Sequence, residues 1–314
     1  MLPFPGEFVL GANLPWVNYG CDYGASAWFP QGGLGARPEA LARFERAMDR
    51  LAAGGVTIAR VFLLCDGRSG VRCEADGAPR GLDEAFFRDF DLALSTACAR
   101  GVRLLPVVFD FHLCDPAQEV EGVTIGGRRA FVTDEAARDL LLSRVVGPIA
   151  ERYGAHPGIV AWDLFNEPEW RTAPFAPGDG PGVVPFAAMQ AFLVALTGCV
   201  RERARQPLTV GSAGAAHLDL VRGIGLDFYQ VHWYERFGWP ALAAPVGRLD
   251  LDRPVLLGEF PGRPADTTSA VILSAAREAG HCGALIWSVL SDDSVSGFPD
   301  GSACRALRVS ARFR

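Results

Sequence analysis

Two glutamates carry most of the chemistry open to this sequence. Glu167 stands in Trp162-Asp163-Leu164-Phe165-Asn166-Glu167-Pro168, and Glu259 in Leu256-Leu257-Gly258-Glu259-Phe260. Each follows a short apolar run, which places it at the C-terminal end of a strand. Two carboxyls facing each other across a pocket are what cleavage of a glycosidic bond requires: one protonates the leaving oxygen while the other attacks the anomeric carbon. A separation of ~5–5.5 Å would imply retention of configuration through a covalent glycosyl-enzyme. Arg60 and Tyr234 would hold Glu259 ionised by charge and hydrogen bonding. Glu167 would need a raised pKa to serve as the acid.

The elements that must position these groups alternate along the chain. Short apolar runs at Phe8–Asn13, Val56–Leu63, Val102–Phe109, Ile159–Phe165, Leu208–Gly211, Phe228–His232, Val255–Gly258 and Ala284–Val289 predict eight strands. Amphipathic stretches between them predict helices over Pro38–Ala53, Asp83–Arg100, Asp134–Tyr153, Pro185–Arg205 and Thr267–Gly280, with shorter ones near His217–Arg222 and Pro240–Arg248. Asp83 and Asp134 sit where N-caps belong, and Gly101 and Gly280 where left-handed C-caps belong. Eight strands with intervening helices and no dinucleotide fingerprint at the first turn predict an α/β fold of the (β/α)8 TIM-barrel type, as a single domain over residues 1–314. The tail beyond Val289 shows no strong eighth helix.

Polar residues at the strand ends form an ordered set: Arg60, His112, Asn166-Glu167, His232-Trp233-Tyr234, Glu259 and Trp287. With Trp162–Pro168 and Leu256–Phe260 this set resembles glycoside hydrolase family 5, the cellulase- and mannanase-like retaining β-glycosidases of clan A. The resemblance spans most of the chain from the second strand to the eighth. It implies that Asn166 contacts a sugar 2-hydroxyl, that His232 and Tyr234 position the two glutamates, and that the substrate is a β-linked glucan or mannan. Residues before Val56 are not matched by it.

The tryptophans point the same way. Trp162 lies inside a strand, whereas Trp16, Trp28, Trp170, Trp233, Trp239 and Trp287 fall at strand ends or in following loops, where flat aromatic faces stack on sugar rings. Trp16 and Trp233 join Arg60, His112, Asn166, His232, Tyr234 and Trp287 as expected substrate contacts. Duller readings compete. Arg60 could be a structural ion-pair partner inside the barrel, Trp233 could pack under its loop, and His156 and His281 read as loop or surface residues. His112 with Asp110 and Asp115 could be read as a metal cluster, but no His-x-His follows the first strand, so neither metal nor cofactor is expected. A non-catalytic carbohydrate-binding barrel would be expected to have lost one glutamate. A transglycosylase would use the same residues as the hydrolase.

Composition narrows the classes further. All 30 basic residues of the 314 are arginine. The absence of lysine excludes Schiff-base aldolases, pyridoxal-phosphate barrels and P-loop enzymes. Against 36 acidic residues the formal charge is −6, which argues against a nucleic-acid or anionic-membrane partner and suits an oligo- or polysaccharide. No run of ~18 apolar residues appears. Met1 to Gly6 carries no basic, apolar leader, so a cytoplasmic location is expected, or a secreted one if a leader has been removed. Cys65 and Cys73 share one loop and would bridge only under oxidising conditions. Oligomeric state and endo or exo action are not legible.

Overall fold

The computed structural model describes residues 8–290 and 293–298. Eight parallel strands close into a barrel in chain order: β1 Val9–Asn13, β2 Ile58–Phe62, β3 Arg103–Asp110, β4 Trp162–Asn166, β5 Leu208–Ser212, β6 Tyr229–His232, β7 Val255–Pro261 and β8 Gly283–Trp287. Closure is made by Val9–Ala12 of β1 running in register with Gly283–Ile286 of β8. Both faces of each strand are covered, so the strands read as near-continuous apolar runs. All eight lie where the apolar runs place them, with ends shifted by at most three residues. The expectations about the leader and the tail fall largely on residues outside those described.

Helices pack around the barrel, each for local reasons. In α1 (Pro38–Ala53) proline opens the first turn, and Phe44, Ala47, Met48 and Leu51 recur on one buried stripe. Asp83 caps α2 (Glu84–Cys98) by accepting from the Phe86 N–H at 2.8 Å. Asp134 caps α3 (Glu135–Leu141) by accepting from Ala137. The helix expected to run unbroken to Tyr153 widens into a π turn at Leu142–Val146 before resuming over Gly147–Tyr153. Pro148 explains this, because it has no N–H for the carbonyl four residues back and its ring would clash there. Helix α4 (Phe186–Arg201) stops short of Arg205, whose N–H turns to the Gly154 carbonyl at 2.8 Å. The stretch near Pro240–Arg248 breaks into two short turns at Pro245. Helix α5 (Ser269–Ala279) ends at Gly280 with φ +94°. Among the described residues no helix is long and apolar enough to cross a membrane.

Inside the barrel the side chains stack in layers. Ile58, Leu105, Phe228, Leu256 and Leu285 form an apolar floor. Because alternate residues of a strand share a face, two residues further up the same strands come Arg60, Val107, Gln230, Gly258 and Trp287. The fold thus lifts the chain from a dry floor into a charged layer and then to the mouth. Cys65 is buried beside Phe62 and Val107, while Cys73 approaches the Arg128 guanidinium; both are free thiols.

Candidate active site

Arg60 is the hub of the charged layer. It is fully buried in the middle of β2. Its Nε donates to Asp163 Oδ2 at 2.9 Å, Nη1 to Glu259 Oε1 at 2.7 Å and to Asn13 Oδ1 at 3.0 Å, and Nη2 to Asn166 Oδ1 at 2.8 Å. One guanidinium therefore ties β1, β4 and β7 together. It is both the structural ion-pair partner of Asp163 and a direct neighbour of the Glu259 carboxylate. Its planar fork and fixed charge suit that task better than an ammonium. Asn13 completes its corner by donating to the Gly258 carbonyl at 2.9 Å.

Two strand irregularities set the catalytic geometry. Between β6 and β7 the register slips so that Val231 faces Leu257 but His232 faces Glu259. Gly258 is the extra residue of this bulge, which re-aims the side chain after it. Between β4 and β5 a similar slip puts Asn166 opposite Gly211. The Glu167 N–H then donates to the Gly211 carbonyl at 2.6 Å, and Glu167 itself adopts φ +47°. A left-handed glutamate before a proline is a strained position of the kind that clusters at functional sites.

Glu167 and Glu259 meet over this layer, with a carboxylate oxygen of each within 4.8 Å of the other and of His232 Nδ1. Burial raises both carboxyls, and the charge of Glu167 raises Glu259 further. The order within the pair follows from contacts. Glu259 receives Arg60 at 2.7 Å and the Tyr234 hydroxyl at 2.7 Å. Glu167 receives the Trp170 indole N–H and His232 Nδ1, each at 2.7 Å. The direct guanidinium contact keeps the negative charge on Glu259, so the proton resides on Glu167. Burial pushes His232 down to about 4, so its imidazole is neutral near pH 7. Gln230 Nε2 faces Asp163 Oδ2 at 2.7 Å and His232 Nε2 at 3.4 Å. An amide N–H aimed at Nε2 makes that nitrogen the acceptor and leaves the ring proton on Nδ1, pointing at Glu167.

Glu167, Glu259 and Tyr234 line a cavity of about 420 Å³ together with Trp16, Phe62, His112, Asn166 and Trp287. Trp16 stands edge-on to Trp287 with centroids 6.1 Å apart, forming an aromatic wall above the two glutamates. His112 Nδ1 pairs with Asp115 Oδ2 at 2.7 Å, while Asp110 accepts the His112 backbone N–H. The three do not converge as metal ligands. Among the described residues the group able to close on a metal is Glu167, His232 and Glu259. Arg60 already occupies Glu259 there, and a second cation would be repelled.

Of the residues singled out in the sequence, His112, Asn166, Glu167, Tyr234, Glu259, Trp16 and Trp287 come together at this mouth, while Arg60 and His232, expected as substrate contacts, are buried beneath it and hold the two glutamates instead. Trp233 does not reach the mouth. Its side chain alternates to the outer face of the barrel, is buried, and donates its indole N–H to the Gly238 carbonyl at 3.0 Å. His281, expected in a loop or at the surface, lies in the loop before β8 and is buried there. Sequence reasoning passed over Asn13, Asp163 and Gln230, which hold the hub, and Arg236, whose guanidinium lies 5.3 Å from both the Trp170 and Tyr234 ring centroids. The first three carry a signal: each is a polar residue inside an apolar strand, on the same face as a site residue or a floor residue.

Comparison with known proteins places this geometry in context. No family model matches the chain. A putative mannan endo-1,4-β-mannosidase 5 of Oryza sativa subsp. japonica is 26% identical over 94% of this chain and 69% of its own length. A mannan endo-1,4-β-mannosidase of Mytilus edulis is 24% identical over 90% of this chain and 83% of its own. Among solved structures, the β-1,4-D-mannanase of Cryptopygus antarcticus superposes with a TM-score of 0.79 at 19% identity, covering 96% of this chain and 90% of that one. The endo-1,4-β-mannanase of Eisenia fetida gives 0.77 at 20% identity, covering 97% and 92%. Likeness at that identity establishes the barrel.

Proposed function

We propose that this chain, an O-glycosyl hydrolase of the clan A, family 5 type, cleaves internal β-1,4 bonds of mannan with retention of anomeric configuration. The observation that carries the mechanism is the separation of the two glutamates. One oxygen of each lies within 4.8 Å of the other, which suits the close ~5–5.5 Å carboxyl pair of retaining enzymes and falls short of the ~6.5–9.5 Å across which inverting enzymes hold a water. The relatives' names supply the polymer.

In the first step Glu259 attacks the anomeric carbon while Glu167 gives its proton to the leaving oxygen, and the chain's reducing-end fragment departs. Arg60 and Tyr234 hold the attacking carboxylate in place, so little orientation is lost as the bond forms. Asn166 accepts from Arg60 through its amide oxygen, which leaves its NH2 for the 2-hydroxyl of the sugar. In the second step Glu167, now ionised, takes a proton from water as that water attacks the same carbon and releases Glu259. Neutral His232 donates to the Glu167 carboxylate in this phase, and the Trp16–Trp287 wall gives the ring an apolar face to lie on.

The test is a panel of β-mannan, β-glucan, xylan and aryl β-glycosides assayed with wild type, Glu259→Ala and Glu167→Gln, with the first-formed anomer read by NMR. Mannan should be preferred and the first product should be the β anomer. Glu259→Ala should lose about 10⁵-fold or more in kcat, as nucleophile removal does in other enzymes. Glu167→Gln should lose about 10²–10⁴-fold, the usual worth of a general acid. An α anomer as first product, or undiminished turnover by Glu259→Ala, overturns the mechanism.

A further inference from the structure

Beside the catalytic cavity the surface continues into two grooves of about 400 and 520 Å³. Glu235 lines both the cavity and the nearer groove, so it forms the rim between them. Trp239 and Val271 line both grooves. They are 40% and 47% exposed, two of four large apolar side chains left exposed among the described residues. An indole in solvent is informative only if something holds it there. Here the buried Trp233 ring meets it edge-on, centroids 6.0 Å apart and planes at 87°. The Trp233 N–H also fastens the Gly238 carbonyl, in the peptide just before Trp239. Glu235 Oε1 accepts from the backbone N–H groups of Ala265 and Asp266 at 2.7 and 3.2 Å, which anchors the opposite wall.

We propose that Trp239 and Val271 form a non-catalytic platform for the stretch of β-linked saccharide chain that leaves the cavity over Glu235. The proposal rests on the mannan reading and adds a second binding site to it. A fixed, exposed indole offers the flat apolar surface that a pyranose ring covers. Asp266 and Thr267 in the nearer groove, and Ser274 and Glu278 in the farther one, offer oxygens to the hydroxyls at the ring's edge. A polymer longer than the cavity must cross its rim, and the grooves begin there. The polar border and the continuity favour a sugar chain over a second copy of the protein, whose interface core would be largely apolar.

Trp239→Ala separates the platform from the catalytic site. Its KM on soluble galactomannan should rise roughly 3- to 10-fold, the loss expected from one stacking contact, with kcat on an aryl β-mannobioside unchanged. In native gels containing galactomannan, Glu259→Ala should be retarded and Glu259→Ala/Trp239→Ala clearly less so. Trp239→Tyr should restore the full retardation, and Val271→Glu, on the exposed face of α5, should weaken it with an unchanged melting temperature. Unchanged polymer KM and equal retardation in every gel overturn the platform while leaving the catalytic reading intact. Absence of turnover on any mannan overturns the catalytic reading, and retardation, which needs no turnover, still decides the platform in gels of the other polysaccharides. A concentration-dependent mass that Trp239→Ala abolishes, with polymer binding intact, assigns the face to self-association instead.

Discussion

At the scale of single residues, the two glutamates differ in who touches them, and that difference is measurable in the pH profile. The proposed mechanism requires Glu167 protonated and Glu259 ionised, so under it Glu259 sets the acidic limb and Glu167 the basic limb of kcat/KM. The Trp170 indole N–H stabilises the Glu167 anion and holds its pKa below where burial alone would put it. Trp170→Phe removes that donor, raises the pKa, and should move the basic limb to higher pH. The Tyr234 hydroxyl does the same for Glu259, so Tyr234→Phe should move the acidic limb to higher pH. One substitution widens the profile and the other narrows it; limbs that stay put in pH titrations of both variants would detach these donors from the pair. The glutamates were legible in the sequence because each follows an apolar run and has ordered companions on other strands. Trp233 was misread for a reason of parity. It sits one residue past His232, and the alternation of a strand sends neighbouring side chains to opposite faces. The supporting residues Asn13, Asp163 and Gln230 escaped notice because they do no chemistry themselves; they are visible only once the inward face of each strand is known.

At the scale of elements, β5 and β7 are built around what must pass them. A Cβ on Gly211 would stand 2.7 Å from Gln230 Nε2, 2.8 Å from Arg60 Nη2 and 3.1 Å from His232 Nε2. A Cβ on Gly258 would lie 2.4 Å from Gln230 Cγ. These glycines are empty because the charged layer fills their side-chain space, and Gly258 also makes the bulge that brings His232 to Glu259. Gly211→Ala should therefore act on both properties at once. Overpacking should cost about 1–3 kcal/mol in urea denaturation. Displacement of Arg60 and His232 by a fraction of an ångström to an ångström should lower kcat/KM by about 10²-fold. Full activity in a folded Gly211→Ala would show that the hub has slack that its contacts do not suggest. The existence and order of the elements followed from apolar periodicity and caps such as Asp83 and Asp134. Their interruptions did not, since a π turn before Pro148 and a helix broken at Pro245 depend on local backbone sterics. The two register slips that build the site leave no pattern in a sequence, because a bulge is fixed by what packs against it.

At the scale of the whole molecule, several buried acids make stability depend on pH. Burial, above all, raises Asp22 to about 6, Asp110 to about 7 and Glu169 to about 8. Each of these carboxyls stays protonated in the folded chain at pH values where the unfolded chain has lost the proton. The folded state then binds more protons, so stability falls as pH climbs from the ordinary carboxylate range to each folded pKa. His232 and His281, pushed by burial to about 4, act in the opposite sense, since the unfolded chain takes up their protons first as pH falls below about 6.5. Above that point the histidines no longer contribute, and the remaining decline belongs to the carboxyls that still hold a proton, Glu169 among them. This residue fastens the turn after Glu167, its Oε2 accepting from the Ala213 N–H at 3.1 Å while Oε1 is buried without a partner. In Glu169→Gln the amide oxygen can still accept from Ala213, and no ionisation remains. Whatever constant cost the amide brings cancels in the slope. The stability difference between Glu169→Gln and wild type should therefore shift in favour of the variant from pH 5 to pH 8, by about 4 kcal/mol at most over those three units. It should level off beyond about 8. Urea titrations at each pH give the two curves. Parallel curves would mean that Glu169 does not ionise on unfolding in this window, and that the alkaline decline has its origin elsewhere in the barrel.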